Sequence, residues 1–182
     1  MNEKSLRVLE FNKIIDKLKT KASSSLGLKH IENLKPSNDF DEVKNTLLET
    51  SEAQAILIKR GLVSMDGIHD IEDKAKRAHV GATLDPGSLL KIADCLRVAR
   101  SLKRNLEGSE EEDFNYPIIQ ALTNSLYTYR DIEDRIYTSI VGESEISDNA
   151  STTLRTIRRR IVQKNQSIRS KLNSIISSTT YQ

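Results

Sequence analysis

The sequence predicts an all-α protein: an elongated multi-helix body with one small β-hairpin and a long C-terminal helix. Apolar residues make up 37% of the 182-residue chain and charged residues 30%, a balance that suits long, solvated, amphipathic helices. Aromatics amount to 4%, with seven Gly and three Pro, too little punctuation for a many-stranded fold. In residues 151–182, Leu154, Ile161, Ile168 and Ile175 recur every seven positions, and Ile157 and Leu172 widen the stripe. Such a repeat describes one face of a helix that lies along a partner helix.

Taken in order, LRVLEFNKIIDKLKTKA places Leu9, Ile14, Ile15 and Leu18 toward one side of a first helix, with Phe11 docking its entry. A second helix, over residues 23–34, ends before Pro36 because the residue preceding proline is pushed out of helical geometry. Ser37, Asn38 or Asp39 then offers an N-cap for a third helix reaching residue 60. Asp41 and Glu42 suit the positive end of its dipole, and Gly61 is a natural stop. A loop and a helix over residues 68–79 follow, closed by Gly81. Asp85-Pro86 is the cleanest signal, a cap followed by proline at the first helical position. The helix it opens gathers Leu89, Ile92, Ala93, Cys95, Leu96, Ala99, Leu102 and Leu106 within half of its circumference. Residues 108–117 form an acidic, Pro-ended connector. Helical periodicity resumes over residues 118–140, and Gly142-Glu143 sits where a two-stranded hairpin turns. Ser151 caps the final helix, which has no Gly or Pro to end it and is expected to run on as part of a longer protein.

Charge divides the chain. Residues 151–182 carry Arg155, Arg158, Arg159, Arg160, Lys164, Arg169 and Lys171 and no acidic residue, leaving 21 basic against 26 acidic residues before them. A basic half of this kind points to a polyanion, or to a partner helix that supplies the missing acids. Three consecutive arginines span about 200° of a helix. They cannot all face one phosphate rail, but Arg155, Arg159 and Arg158 share a side, with Lys164 and Arg160 around the flank. Phosphate contacts from such an arm are salt-sensitive and sequence-blind. Without interleaved aromatics, base stacking is not expected.

Other chemistry finds little footing. There is no G-x-x-x-x-G-K-[ST] and no G-x-G-x-x-G, so no nucleotide site is expected. Asp66, His69, Asp70 and Asp73 lie close in sequence, but on a helix His69 points about 100° away from Asp70. A capped helix start explains them better than a metal site. The lone Cys95 falls inside the apolar arc and reads as an inert core residue. It also excludes an internal disulfide and suggests a reducing, cytoplasmic location. No apolar run exceeds four residues, too short for a spanning helix. Phe40-Asp41-Glu42 matches the Phe-x-Glu pattern with which mismatch-repair MutS proteins contact a mispaired base. Here it falls in the first turn of an amphipathic helix, where Phe40 is expected as a hydrophobic staple and Glu42 as a dipole partner.

The collinear set LEFNKIIDKL, LKPS, SEAQAILIKRG, GIHDI, LDPGSLLKIADCLRVARSLKRNL and SDNASTTLRTIRRRI resembles the N-terminal region of the bacterial MutS-two family, the second MutS lineage. The resemblance implies that residues 1–150 form a helical core and lever hub. Residues 151–182 would then begin a long lever helix leading toward a coiled-coil clamp, with Thr180-Tyr181-Gln182 at the transition. It further implies a parent protein that is an ATPase and endonuclease, using ATP and Mg in a domain absent here and dimerising through it. Such proteins are linked to suppression of homologous recombination and to splitting collided ribosomes. The expected partners are therefore branched or double-stranded DNA, or ribosomal RNA, through the seven basic residues above. No catalytic, metal or cofactor residue is expected in this chain and no membrane partner. The alternative is a helical protein–protein interaction module without nucleic-acid contact.

Overall fold

The computed structural model describes residues 3–61, 64–106 and 116–178. These form nine α-helices and one antiparallel hairpin, in the order α1 (Glu3–Val8), α2 (Phe11–Lys19), α3 (Ser25–Glu32), α4 (Phe40–Arg60), α5 (Glu72–His79), α6 (Pro86–Leu106), α7 (Pro117–Asn124), α8 (Arg130–Ser139), β1 (Ile140–Gly142), β2 (Glu145–Ile146), a 3-10 turn (Asp148–Ala150) and α9 (Thr152–Ile176). The helical class, the small hairpin and the long last helix are as the sequence predicts. Most of the acidic connector and the Thr180-Tyr181-Gln182 end lie outside the described residues.

The caps form where short polar side chains precede apolar periodicity. Asp39 Oδ1 accepts from the amides of Asp41 and Glu42 at 2.9 and 3.1 Å. Asp85 accepts from the Ser88 amide and hydroxyl at 2.9 and 2.7 Å, and Ser151 Oγ from the Leu154 amide at 3.0 Å. Each satisfies amide protons that a helix start otherwise leaves without acceptors.

Helix breaks differ from the periodicity reading. The first segment is two helices, because Glu10 adopts a left-handed conformation at φ 55° and carries an ion pair to Lys13. Residues 118–140 also split. The Ser125 hydroxyl donates back to the Leu122 carbonyl, and Lys103 Nζ takes the Leu126 carbonyl at 2.9 Å, so α7 ends and α8 starts afresh. Residues 68–71 are not helical: the His69 amide donates to Cys95 Sγ at 3.1 Å, which draws that backbone onto α6. Helix α9 closes at Ile176, with Ser177 as its C-cap and the Ser177 amide donating to the Asn173 carbonyl at 3.0 Å. Phe40 is 77% exposed and is not a staple.

Helix α6 is the organising element, packed against α7, α8 and β1. Ala93, Val98 and Leu106 are its buried residues. A second cluster joins Ile56 of α4 to Leu106 and Tyr116, with Leu102 and Ile119 at its edge. The core is thin. The accessible surface of 14478 Å² is well above the roughly 9,000 Å² of a compact monomer of this mass, and apolar faces of α4 and α9 stay open.

Candidate nucleic-acid interface

Helix α9 is the longest helix among the described residues, about 37 Å at 1.5 Å per residue. It packs against the 3-10 turn at its base, and every residue from Arg159 to Ser177 is exposed.

The seven basic residues fall into two groups. Arg155 and Arg158 are half-buried and engaged within the chain. Arg155 donates to Asn149 Oδ1, while Arg158 Nη1 meets Asp148 Oδ1 at 2.5 Å and the Ile146 carbonyl at 2.9 Å. These two arginines fasten α9 to the hairpin and turn. The sequence carried the signal, since Asp148 and Asn149 lie just upstream, but only the 3-10 turn brings them back under the helix.

Arg159, Arg160, Lys164, Arg169 and Lys171 are exposed and make no hydrogen bond or ion pair with any described residue. At about 100° per residue, Arg160, Lys164 and Lys171 fall within a 40° strip, spaced by about 6 and 10 Å along the axis. Arg159 and Arg169 lie around the other side. The strip runs beside the apolar seam, in which Ile157, Ile161, Ile168, Leu172 and Ile175 are each 49–55% exposed. No acidic residue occurs in α9, so nothing on the helix neutralises the row.

Among the described residues, three helix N-termini are already occupied by carboxylates. Helix N-termini are natural anion sites, yet those of α4 and α6 already hold the carboxylates of Asp39 and Asp85. That of α7 holds Glu52, whose Oε2 accepts from the Ile118 and Ile119 amides at 3.0 and 2.9 Å. Among the described residues no group of three or more His, Cys, Asp or Glu is placed to hold a metal ion. His69 Nε2 lies 3.9 Å from Asp94 Oδ2, and Cys95 is half-buried against the loop at Gly67 and His69. No described helix is long and apolar enough to cross a membrane.

No protein-family model matches the chain. Individual relatives do. The chain is 75% identical to Endonuclease MutS2 of Clostridioides difficile (strain 630) over all 182 residues, which make up 23% of that protein. It is 49% identical to Endonuclease MutS2 of Alkaliphilus oremlandii and 50% identical to that of Acetivibrio thermocellus, again over 182 residues and 23% of each relative. The chain thus spans about a quarter of the length of the curated relatives it matches. Each of these matches runs over the whole of the chain, and the chain belongs to the MutS2 family as a part of such a protein.

Proposed function

We propose that this chain is a non-catalytic core and lever module of a longer MutS2-type protein, and that α9 carries motion and charge to a nucleic-acid partner. The observation that carries this reading is the exposed row of Arg160, Lys164 and Lys171, which meets no other described residue, on a helix that packs at its base against the 3-10 turn. Packed helices transmit displacement as rigid bodies, so a long anchored helix is suited to pass movement from the hub to its far end. In the longer protein, ATP hydrolysis and endonuclease activity would reside outside these residues, in a part that binds ATP and Mg and dimerises. Suppression of recombination and splitting of collided ribosomes are the roles proposed for that whole protein, with branched or double-stranded DNA or ribosomal RNA as its target.

The test is salt-dependent binding to duplex DNA and to structured RNA, read by fluorescence anisotropy. Replacing Arg160, Lys164 and Lys171 together with Ala is expected to weaken binding and to flatten the log–log salt dependence on duplex DNA by about 2.7, at about 0.9 per lost phosphate contact. Unchanged binding overturns the electrostatic role. Measurable ATP turnover by the pure chain overturns the non-catalytic reading.

A second reading rests on the half-exposed Ile157, Ile161, Ile168, Leu172 and Ile175. In it, α9 docks an amphipathic helix and the arginines and lysines pair with that helix's acids. Mixing the chain with an acidic amphipathic peptide discriminates the two: a gain in helicity together with no affinity for nucleic acid favours the docking role.

A further inference from the structure

We infer that the contact between Arg158 and Asp148 is the joint that sets the direction of α9 relative to the body. Among the described elements, the 3-10 turn is the one that packs against α9 beyond a stray contact. Arg158 Nη1 bridges that turn, through Asp148 Oδ1 at 2.5 Å, and the end of β2, through the Ile146 carbonyl at 2.9 Å. Arg155, one turn earlier on α9, reaches Asn149.

The turn is itself held from behind. The Ser147 amide donates to the Ser139 carbonyl at the end of α8 at 2.8 Å, and α8 packs against the turn as well. Helix α8 is fixed to α6 by Arg100 on Glu133 and by the Tyr137 hydroxyl on Asp94 Oδ1 at 2.7 Å. A continuous set of polar contacts therefore runs from α6 through α8 and the turn to the second turn of α9.

A partly exposed ion pair adds little to global stability, but this one sits where α9 leaves the body, beside the Arg155 contact to Asn149. Its geometry decides where the free length points. With about 37 Å of helix beyond the cap, a tilt of about 10° moves the far end by roughly 6 Å. The joint works in this way whether or not α9 meets nucleic acid, so it stands apart from the binding role proposed above.

Double electron–electron resonance tests it, with spin labels at Lys91→Cys on α6 and Ser170→Cys on α9 in a Cys95→Ser background. A narrow distance distribution is expected for the otherwise unaltered chain. Arg158→Ala is expected to broaden it at least twofold while far-ultraviolet dichroism stays unchanged, and Asp148→Asn is expected to act in the same direction. The charge swap Arg158→Asp with Asp148→Arg is expected to narrow it again, a rescue that general loosening of the fold does not give. Equal widths for the parent chain and both single variants overturn the proposal, as does a folded charge swap as broad as Arg158→Ala.

Discussion

Arg100 grips both carboxylate oxygens of Glu133, with Nε on Oε2 at 3.0 Å and Nη2 on Oε1 at 2.8 Å. Glu133 is 4% exposed, so this fork closes the α6–α8 interface over a carboxylate removed from water. Bidentate geometry satisfies the charge on both sides. Removing one partner leaves the other without its match.

Glu133→Ala is therefore expected to lower the melting temperature by on the order of 5 °C. The double replacement Arg100→Met with Glu133→Leu removes both charges and fills the space, and is expected to recover most of that loss. Thermal unfolding followed by circular dichroism reads both. A double variant as unstable as Glu133→Ala contradicts the explanation.

The same pair makes stability depend on pH. The Arg100 hydrogen bonds hold Glu133 below its ordinary value of 4.5, and the Ser88 hydroxyl and amide hold Asp85 below 3.8. The nearby charges are Arg97 on α6 and Arg130 on α8, which also favour the Glu133 carboxylate, and Asp134 beside Arg100. Carboxylates lowered in the folded state contribute stability that is fully present above their unfolded values. It is lost as pH falls through the folded ones. Denaturant midpoints are thus expected to fall as pH drops below about 4.5, and Glu133→Gln is expected to flatten that limb. An equally steep limb in Glu133→Gln assigns the acid sensitivity elsewhere.

Much of this architecture was legible in the sequence, and the omissions have physical causes. Asp85-Pro86 announced α6 because a cap and an N1 proline are local chemistry, and Gly142-Glu143 marked the hairpin for the same reason. The breaks at Glu10 and after Asn124 involve neither Gly nor Pro. They arise from a left-handed Glu10 and from Lys103 reaching across to a carbonyl 23 residues away, so periodicity ran through both. Val98 fell outside the predicted apolar arc yet is 1% exposed, because the backbone at Gly67 covers a second side of α6. At the basic arm, composition located the cations, but it did not separate Arg155 and Arg158, which are committed to the turn, from the five that meet no other described residue.

Glu52 of α4 accepts from the amides of Ile118 and Ile119 and so caps α7 from another helix. A carboxylate there satisfies two amides and meets the positive end of the dipole. Glu52→Ala is expected to cost about 1 kcal/mol, and Glu52→Gln less because its amide oxygen still accepts. Chemical denaturation checks the order. Hydrogen exchange at Ile118 and Ile119 should speed up selectively in Glu52→Ala; uniform change across the chain argues against capping.

Glycines with positive φ separate conformational strain from crowding. Gly67 has φ +100°, and a Cβ there would lie 2.9 Å from Arg97 Nη2, 3.2 Å from Asp94 Cβ and 3.4 Å from Val98 Cγ2. Gly81 has φ +79° with nothing within 4 Å. Both positions impose a left-handed conformation that costs about 1 kcal/mol for a residue with a side chain, but at Gly67 the added carbon also disturbs the Arg97 contact to the Asp66 carbonyl at 3.1 Å. Gly81→Ala is accordingly expected to cost about 1 kcal/mol and Gly67→Ala about 2 kcal/mol or more. Gly142, with ordinary φ and open space around it, supplies the contrast: Ala there restricts the unfolded chain and is expected to be neutral or to stabilise by up to about 1 kcal/mol. Urea midpoints for the three variants should rank Gly142→Ala above Gly81→Ala above Gly67→Ala. Equal values for Gly67→Ala and Gly81→Ala would mean that the loop at Gly67 yields to the added methyl, and that the contacts holding it to α6 are weaker than their distances suggest.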